Sequence, residues 1–288
     1  MADASTKWTH EPHKVLKFRP GNRIADIDTN SSPGYSGDLD GSDQVLAERS
    51  ERFAGLQEML YANGKTAGDT RSVLLVLQGI DTAGKGGIVK HVVGAGNPMG
   101  IRYTSFGVPT EEERAHHYLW RIRKALPPAG HLGVFDRSHY EDVLVVRVHD
   151  LVPADVWGAR YDEINVFERE LVDSGTTLVK VAMFISPEEQ KRRLAERLER
   201  PDRYWKYNPG DLEERKLWPA YQEAYQAVLD RTSTDYAPWF VVPCDKKWYS
   251  RLAVTELLIW ALKGLKISWP PADFDVEAEK RKLSLLPE

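Results

Sequence analysis

Cysteine is nearly missing from this chain. Cys244 is the one thiol in 288 residues, so no internal disulfide can form and a stapled secreted scaffold is excluded. Long apolar runs are missing too, with nothing near the roughly eighteen residues that a membrane span requires. The opening stretch MADASTKWTHEPHKVLKF puts charges and histidines where a signal peptide needs an unbroken apolar core. A cytoplasmic protein with no membrane partner is expected, in which the sequon at Asn30 is inert. Charge of one sign is also scarce. The 39 Lys and Arg against 43 Asp and Glu leave a net charge of −4, which argues against a nucleic-acid partner and confines any polyanion site to a local cluster of cations. No Cys and His fall at zinc spacing, and there is no internal repeat. The acidic DLDGSD hints at a calcium loop, but its glycine is misplaced and Arg49 stands where the bidentate glutamate belongs.

Residues 1–41, rich in Gly, Ser, Pro and Asp, are expected to form an irregular N-terminal arm that wraps the domain or stays mobile. From Ser42 the pattern changes: Leu46, Phe53, Leu56 and Leu60 line one face of a helix ending near ANGK. Short apolar runs then follow at 72–78, 102–108, 131–136, 177–186 and 239–244. Between them lie segments long enough for crossover helices, such as TEEERAHHYLWRIRKAL and GARYDEINVFERELVDSG. The expected architecture is α/β, a doubly wound, mostly parallel five-stranded sheet with helices on both faces. Residues 42–265 make the catalytic domain and 266–288 a C-terminal tail. Ligands in such sheets bind beyond the carboxyl ends of the strands.

Three stretches carry chemistry. VLLVLQGIDTAGKGGIVKHV reads as strand, glycine-rich loop, helix: Gly79, Gly84 and Lys85 keep phosphate-loop spacing, while Gly86 sits where a metal-binding hydroxyl is usual. The loop Gly79, Thr82, Ala83, Gly84, Lys85, Gly86 and Gly87 can turn its amides around phosphate oxygens, helped by the positive end of the helix and by Lys85 as a mobile point charge. Asp81 stands inside it. In GVFDRSHYEDVLV, Asp136 ends an apolar strand and Arg137 follows; an acid there lies beside the phosphate loop and can hold Mg²⁺. Asp81 and Asp136 together could supply the metal contacts that a hydroxyl and one carboxylate supply elsewhere. In SPEEQKRRLAERLERPDRYWKY, Ser186 and Pro187 start a helix on which Arg193, Arg197 and Arg200 share a face and Leu194 and Leu198 anchor an adjoining one. That helix leaves the fourth strand where it can fold over the loop as a lid. A solvated face of ion pairs is the competing account of the same run. His116 and His117 are expected on ordinary helix surface, and Cys244 as a buried thiol.

Taken together, GIDTAGKGG, FDRSHYEDVLVVRV, EEQKRRLAER, YWKY and APWFVVPCDKKWYSR resemble the family-2 polyphosphate kinases over about residues 45–265. The resemblance implies a P-loop kinase-like fold with a helical lid at about 187–216 and reversible phosphoryl transfer between inorganic polyphosphate and a nucleotide. The nucleotide is adenine-based, with guanine open, and the cofactor is Mg²⁺, with Mn²⁺ as a substitute. It maps the family's Walker A Asp and Lys onto Asp81 and Lys85, its Walker B Asp and Arg onto Asp136 and Arg137, and its lid arginines onto Arg193 and Arg197. It also implies a homo-oligomer, dimer or tetramer. The DRSHYEDVLVVRV form looks closest to branches that act on nucleoside monophosphates, or on both mono- and diphosphates. An ATP-dependent nucleoside monophosphate kinase is the alternative, since it shares loop, lid and metal.

Overall fold

A computed structural model describes residues 7–287; residues 1–6 of the expected arm and Glu288 of the expected tail lie outside it. Five strands, β1 (Ser72–Gly79), β2 (Ile101–Ser105), β3 (Leu132–Asp136), β4 (Thr176–Phe184) and β5 (Trp239–Pro243), form one sheet in the order β2-β3-β1-β4-β5. Every pairing is parallel. The main helices are α1 (Ser42–Thr66), α2 (Lys85–His91), α3 (Leu119–Ala125), α4 (Ala154–Asp173), α5 (Pro187–Glu199), α6 (Gly210–Lys216), α7 (Trp218–Thr232), α8 (Lys247–Gly264) and, in the expected tail, α9 (Val276–Ser284).

The central strand explains the layering. All of β1 is buried, and because side chains alternate along a strand, Val73, Leu75 and Leu77 enter one apolar cluster with Phe53 and Leu60 of α1 and Leu257 of α8. Leu74 and Val76 enter another with Ile164 and Phe167 of α4 and Val228 of α7. Each such side chain removed from water contributes about 2 kcal/mol, so the aliphatic run of β1 secures both layers at once. A bidentate ion pair, Arg49 to Glu256 at 2.6 and 2.9 Å, ties α1 to α8.

Residues 8–35 lie over the β5 side of the sheet. Phe18 N donates to Trp239 O and Val241 N to Leu16 O, both at 2.8 Å, so the arm satisfies backbone groups that an edge strand would leave open. Its own Trp8, Leu16, Phe18, Ile24 and Tyr35 are buried in the two core clusters.

Two local expectations fail. TEEERAHHYLWRIRKAL is not one crossover helix: a four-residue turn, Glu111–Arg114, is closed by a Thr110–Glu113 capping box, and α3 restarts at Leu119. His116 and His117 therefore occupy the break rather than a helix surface. The His117 Nδ1 accepts from Leu119 N at 3.4 Å and the His116 ring stacks on Trp120 at 4.2 Å, and side chains that bond to nearby backbone in this way compete with the helical ladder. The second strand ends at Ser105 rather than 108, after which Gly107 and Pro109 cannot prolong the ladder.

Candidate active site

The register of the sheet places the site. Asp136 pairs with Leu77, and Gly79 pairs with Met183, so the loops after β1, β3 and β4 leave side by side on one edge. Gly79 is dictated by backbone approach: a Cβ there would fall 2.7 Å from Met183 O. Gly84 turns at φ +114, which only glycine adopts without strain. Two non-glycine residues of the same region, Thr82 at φ +67 and Arg137 at φ +62, also occupy left-handed backbone. Such conformations persist only where the surroundings over-determine them.

Four of the expected residues converge. The Arg137 Nη2 donates to Asp81 Oδ1 at 3.0 Å, joining the loops after β3 and β1. Asp136 accepts from the Tyr103 hydroxyl at 3.4 Å. Lys85 is not the mobile charge expected: its ammonium is buried and turns back onto Gly79 O at 2.5 Å and Ile80 O at 3.4 Å. That leaves one of three N–H donors for a phosphate. Burial pulls the Lys85 ammonium below the ordinary lysine range, Asp81 opposes this, Arg137 adds to it, and Asp136 opposes it again. All three charges are thus close enough to act on the lysine.

The lid divides the arginines. Ser186 caps α5 through Glu189 N as expected, and Arg193 of α5 reaches the phosphate loop, donating from Nη1 to Thr82 O at 2.8 Å and Ala83 O at 3.1 Å. Its Nη2 donates to Cys244 O and to Asp245 O at 3.2 Å, and its Nε to Glu189 at 2.7 Å. All five guanidinium protons are engaged. Arg197 does not reach the loop. It donates to Lys206 O at 2.9 Å and Asp211 Oδ2 at 3.2 Å, and its Nε and Nη2 have no partner among the described residues. Arg200 leaves the shared face altogether, because α5 ends at Glu199 and Arg200 is its extended C-cap. Leu194 is buried, whereas Leu198 is exposed and anchors nothing.

Residues that the sequence did not single out complete the site. Gln190 Nε2 donates to Asp81 O at 3.2 Å, and Arg215 of α6 donates to Gln190 Oε1 at 2.6 Å. Glu141, on the turn after β3, faces the same cations: burial raises its carboxyl above the usual range, while Arg137 and Lys85 oppose that rise. Burial raises Asp211 as well, with Asp81 adding to the rise and Arg197 opposing it, which brings the lid segment into the field of the phosphate loop. Only tertiary contact reveals these four; the one local signal was the acid run after DRSHY.

No group of three His, Cys, Asp or Glu could hold an ion among the described residues, and of the expected pair Asp81 already gives Oδ1 to Arg137. Two carboxylates without a cage suit Mg²⁺, which completes its octahedron with phosphate oxygens and water. A separate cavity of 340 Å³ between the arm and β5, lined by Phe18, Ile27 and Val241 among others, contains no residue of these loops.

Comparison with known proteins adds a family. The model described as polyphosphate kinase 2 matches residues 38–269. An AMP/ADP-polyphosphate phosphotransferase of Meiothermus ruber is 46% identical over 259 residues, covering 89% of this chain and 95% of that protein. An ADP-polyphosphate phosphotransferase of Rhodopseudomonas palustris is 38% identical, covering 79% and 81%. The crystal structure of polyphosphate kinase 2 from Arthrobacter aurescens TC1 superposes with a TM-score of 0.94 at 50% identity, covering 96% of this chain and 98% of that one.

Proposed function

The chain belongs to the polyphosphate kinase 2 family, and on that premise we propose that it moves a phosphoryl group reversibly between inorganic polyphosphate and nucleoside mono- and diphosphates, AMP to ADP and ADP to ATP. The observation that carries this reading is the 3.0 Å contact of Asp81 with Arg137 above a buried Lys85. It gathers charges of both signs where two phosphate chains must meet.

Polyphosphate offers neither base nor sugar, so charge and geometry must do the recognising. The acceptor phosphate oxygen is already ionised and needs no general base. It attacks the terminal phosphorus of the polymer, the bond to the next phosphate breaks, and the polymer leaves one unit shorter with the negative charge on its new end. Such transfers need in-line placement and neutralised oxygens more than covalent help. Arg137 and the remaining N–H of Lys85 face that charge, and Asp81 fixes the guanidinium plane. Arg193 holds the loop carbonyls, while Arg197, with donors to spare, is the lid guanidinium available to a phosphate. Asp136 and Asp81 would hold Mg²⁺, or Mn²⁺, which when bound draws charge from the phosphate oxygens.

The test is AMP with polyphosphate and Mg²⁺ and no ATP, with ADP, GMP and GDP in parallel, read by chromatography. ADP from AMP is expected. Product only when ATP is added would assign an ATP-dependent monophosphate kinase instead. A cytoplasmic location and a dimeric or tetrameric assembly complete the proposal. Among the described residues no helix is long and apolar enough to cross a membrane; fractionation checks the location and sedimentation the assembly.

A further inference from the structure

Behind the turn that carries Asp136 and Arg137 lies a set of ionisable groups that the transfer does not use. Lys180, on β4, is wholly buried, and its ammonium donates to Glu168 Oε2 at 2.6 Å, the Tyr140 hydroxyl at 2.9 Å and Thr232 O at 2.7 Å. Three protons meet three acceptors. Glu168 of α4 accepts from the Tyr140 hydroxyl at 2.6 Å and lies 3.4 Å from His139 Nε2. Burial alone would raise the Glu168 carboxyl, but Lys180 and His139 bring it below the usual range. On the far side Trp239 Nε1 donates to Thr232 Oγ1 at 2.9 Å, and the Trp239 ring packs edge-on against Tyr140 at 4.7 Å.

A buried ion pair is a poor device for stability, since packed apolar side chains of equal volume hold a core as well or better. What it imposes is one geometry. The residues it grips, His139 and Tyr140, follow directly on Arg137 and Ser138. Arg137 is the turn's residue in left-handed backbone, and its N–H on Leu77 O at 3.0 Å and its guanidinium on Asp81 Oδ1 at 3.0 Å hold it from the front. Ser138 Oγ, accepting from Tyr140 N at 3.2 Å and Gln78 Nε2 at 3.3 Å, links the strained residue to the gripped ones.

We propose that Lys180 and Glu168 are positioning residues, which through Tyr140 and His139 hold Arg137 turned toward Asp81 in the geometry that phosphoryl transfer requires. The inference rests on the kinase reading of the site. Tyr140→Phe removes the hydroxyl tie and keeps the ring against Trp239. Thr232→Val cuts the outer side of the same network, where Oγ1 accepts from Trp239 Nε1 and donates to Val228 O at 2.6 Å, and leaves the bonds of Glu168 to Lys180, Tyr140 and His139 in place. Both should lower Tm to a similar extent. Only Tyr140→Phe should lower kcat, by about tenfold, with KM for AMP and polyphosphate within about twofold. In an Arg137→Ala background the same change should cost less than about twofold, because the group it positions is gone. Undiminished kcat in Tyr140→Phe, an equal kcat loss in Thr232→Val, or the full loss persisting beside Arg137→Ala would each overturn the positioning alone. A wild-type protein inert toward polyphosphate would overturn the kinase reading and this inference with it. Should Tyr140→Phe fail to fold, His139→Gln retaining kcat while His139→Leu loses it carries the same comparison.

Discussion

Arg193→Lys separates two accounts of the lid. If the guanidinium binds phosphate, as the family resemblance implies, the change should spare stability and weaken polyphosphate binding. The structure makes a different demand. Arg193 is 5% exposed and spends its five N–H groups on four backbone carbonyls and Glu189. A lysine keeps the charge but offers three donors from a single point, so two acceptors lose their partners. At about 1–3 kcal/mol for each, softened where water enters, the loss is roughly 2–4 kcal/mol. In a chain of this size each kcal/mol moves Tm by about 2–4 °C, so the midpoint should fall by roughly 4–16 °C. Differential scanning fluorimetry beside steady-state kinetics reads both effects. The kcat should fall with Tm, because Thr82 and Ala83 lose the contact that fixes the phosphate loop. A Tm within about a degree of wild type, with a raised KM for polyphosphate, would refute the strut and restore the phosphate arm.

Three further outcomes follow from the geometry. Lys85→Ala should slow turnover about a hundredfold, or about 3 kcal/mol in the barrier, and lower Tm by a few degrees as Gly79 O and Ile80 O lose their donor; a folded variant of normal rate would remove Lys85 from the chemistry. Asp136→Asn should raise the Mg²⁺ concentration needed for half-maximal rate by about tenfold or more, and an unchanged metal titration would count against that carboxylate. The pH response of the lid follows from Glu189, whose carboxyl burial would raise but which bonds from Arg192 and Arg193 hold below the usual range. Its contribution is therefore complete above the unfolded value of about 4.3 and is lost as pH falls through the folded one. Between about pH 5 and 3, Tm should drop more steeply for wild type than for Glu189→Gln; parallel slopes would refute the assignment.

Much of the frame was legible in the sequence. The β1 run announced a strand buried on both faces, the glycine spacing placed a tight strand-to-helix loop at its end, and Ser186-Pro187 marked where α5 starts. Asp136 and Arg137 declared themselves through their place after an apolar strand. These are local signals, set by backbone sterics, side-chain periodicity and capping, and they hold where nothing nearby opposes them. They fail where two local forces compete, as at His116 and His117, which read as helix and instead interrupt it.

What each charge does was decided elsewhere. Helical spacing grouped Arg193, Arg197 and Arg200 as equals, yet Arg193 became a buried strut, Arg197 ties α5 to Lys206 and Asp211, and Arg200 became a helix cap. Lys85 turned inward, Asp81 found Arg137 from 56 residues away, and Lys180 with Glu168 came to grip the turn behind them. Periodicity can say which face of a helix a cation shares, but the partner across the gap depends on how five strands stack and which loops they bring together. That is a property of the packed core, so only the tertiary structure determines it.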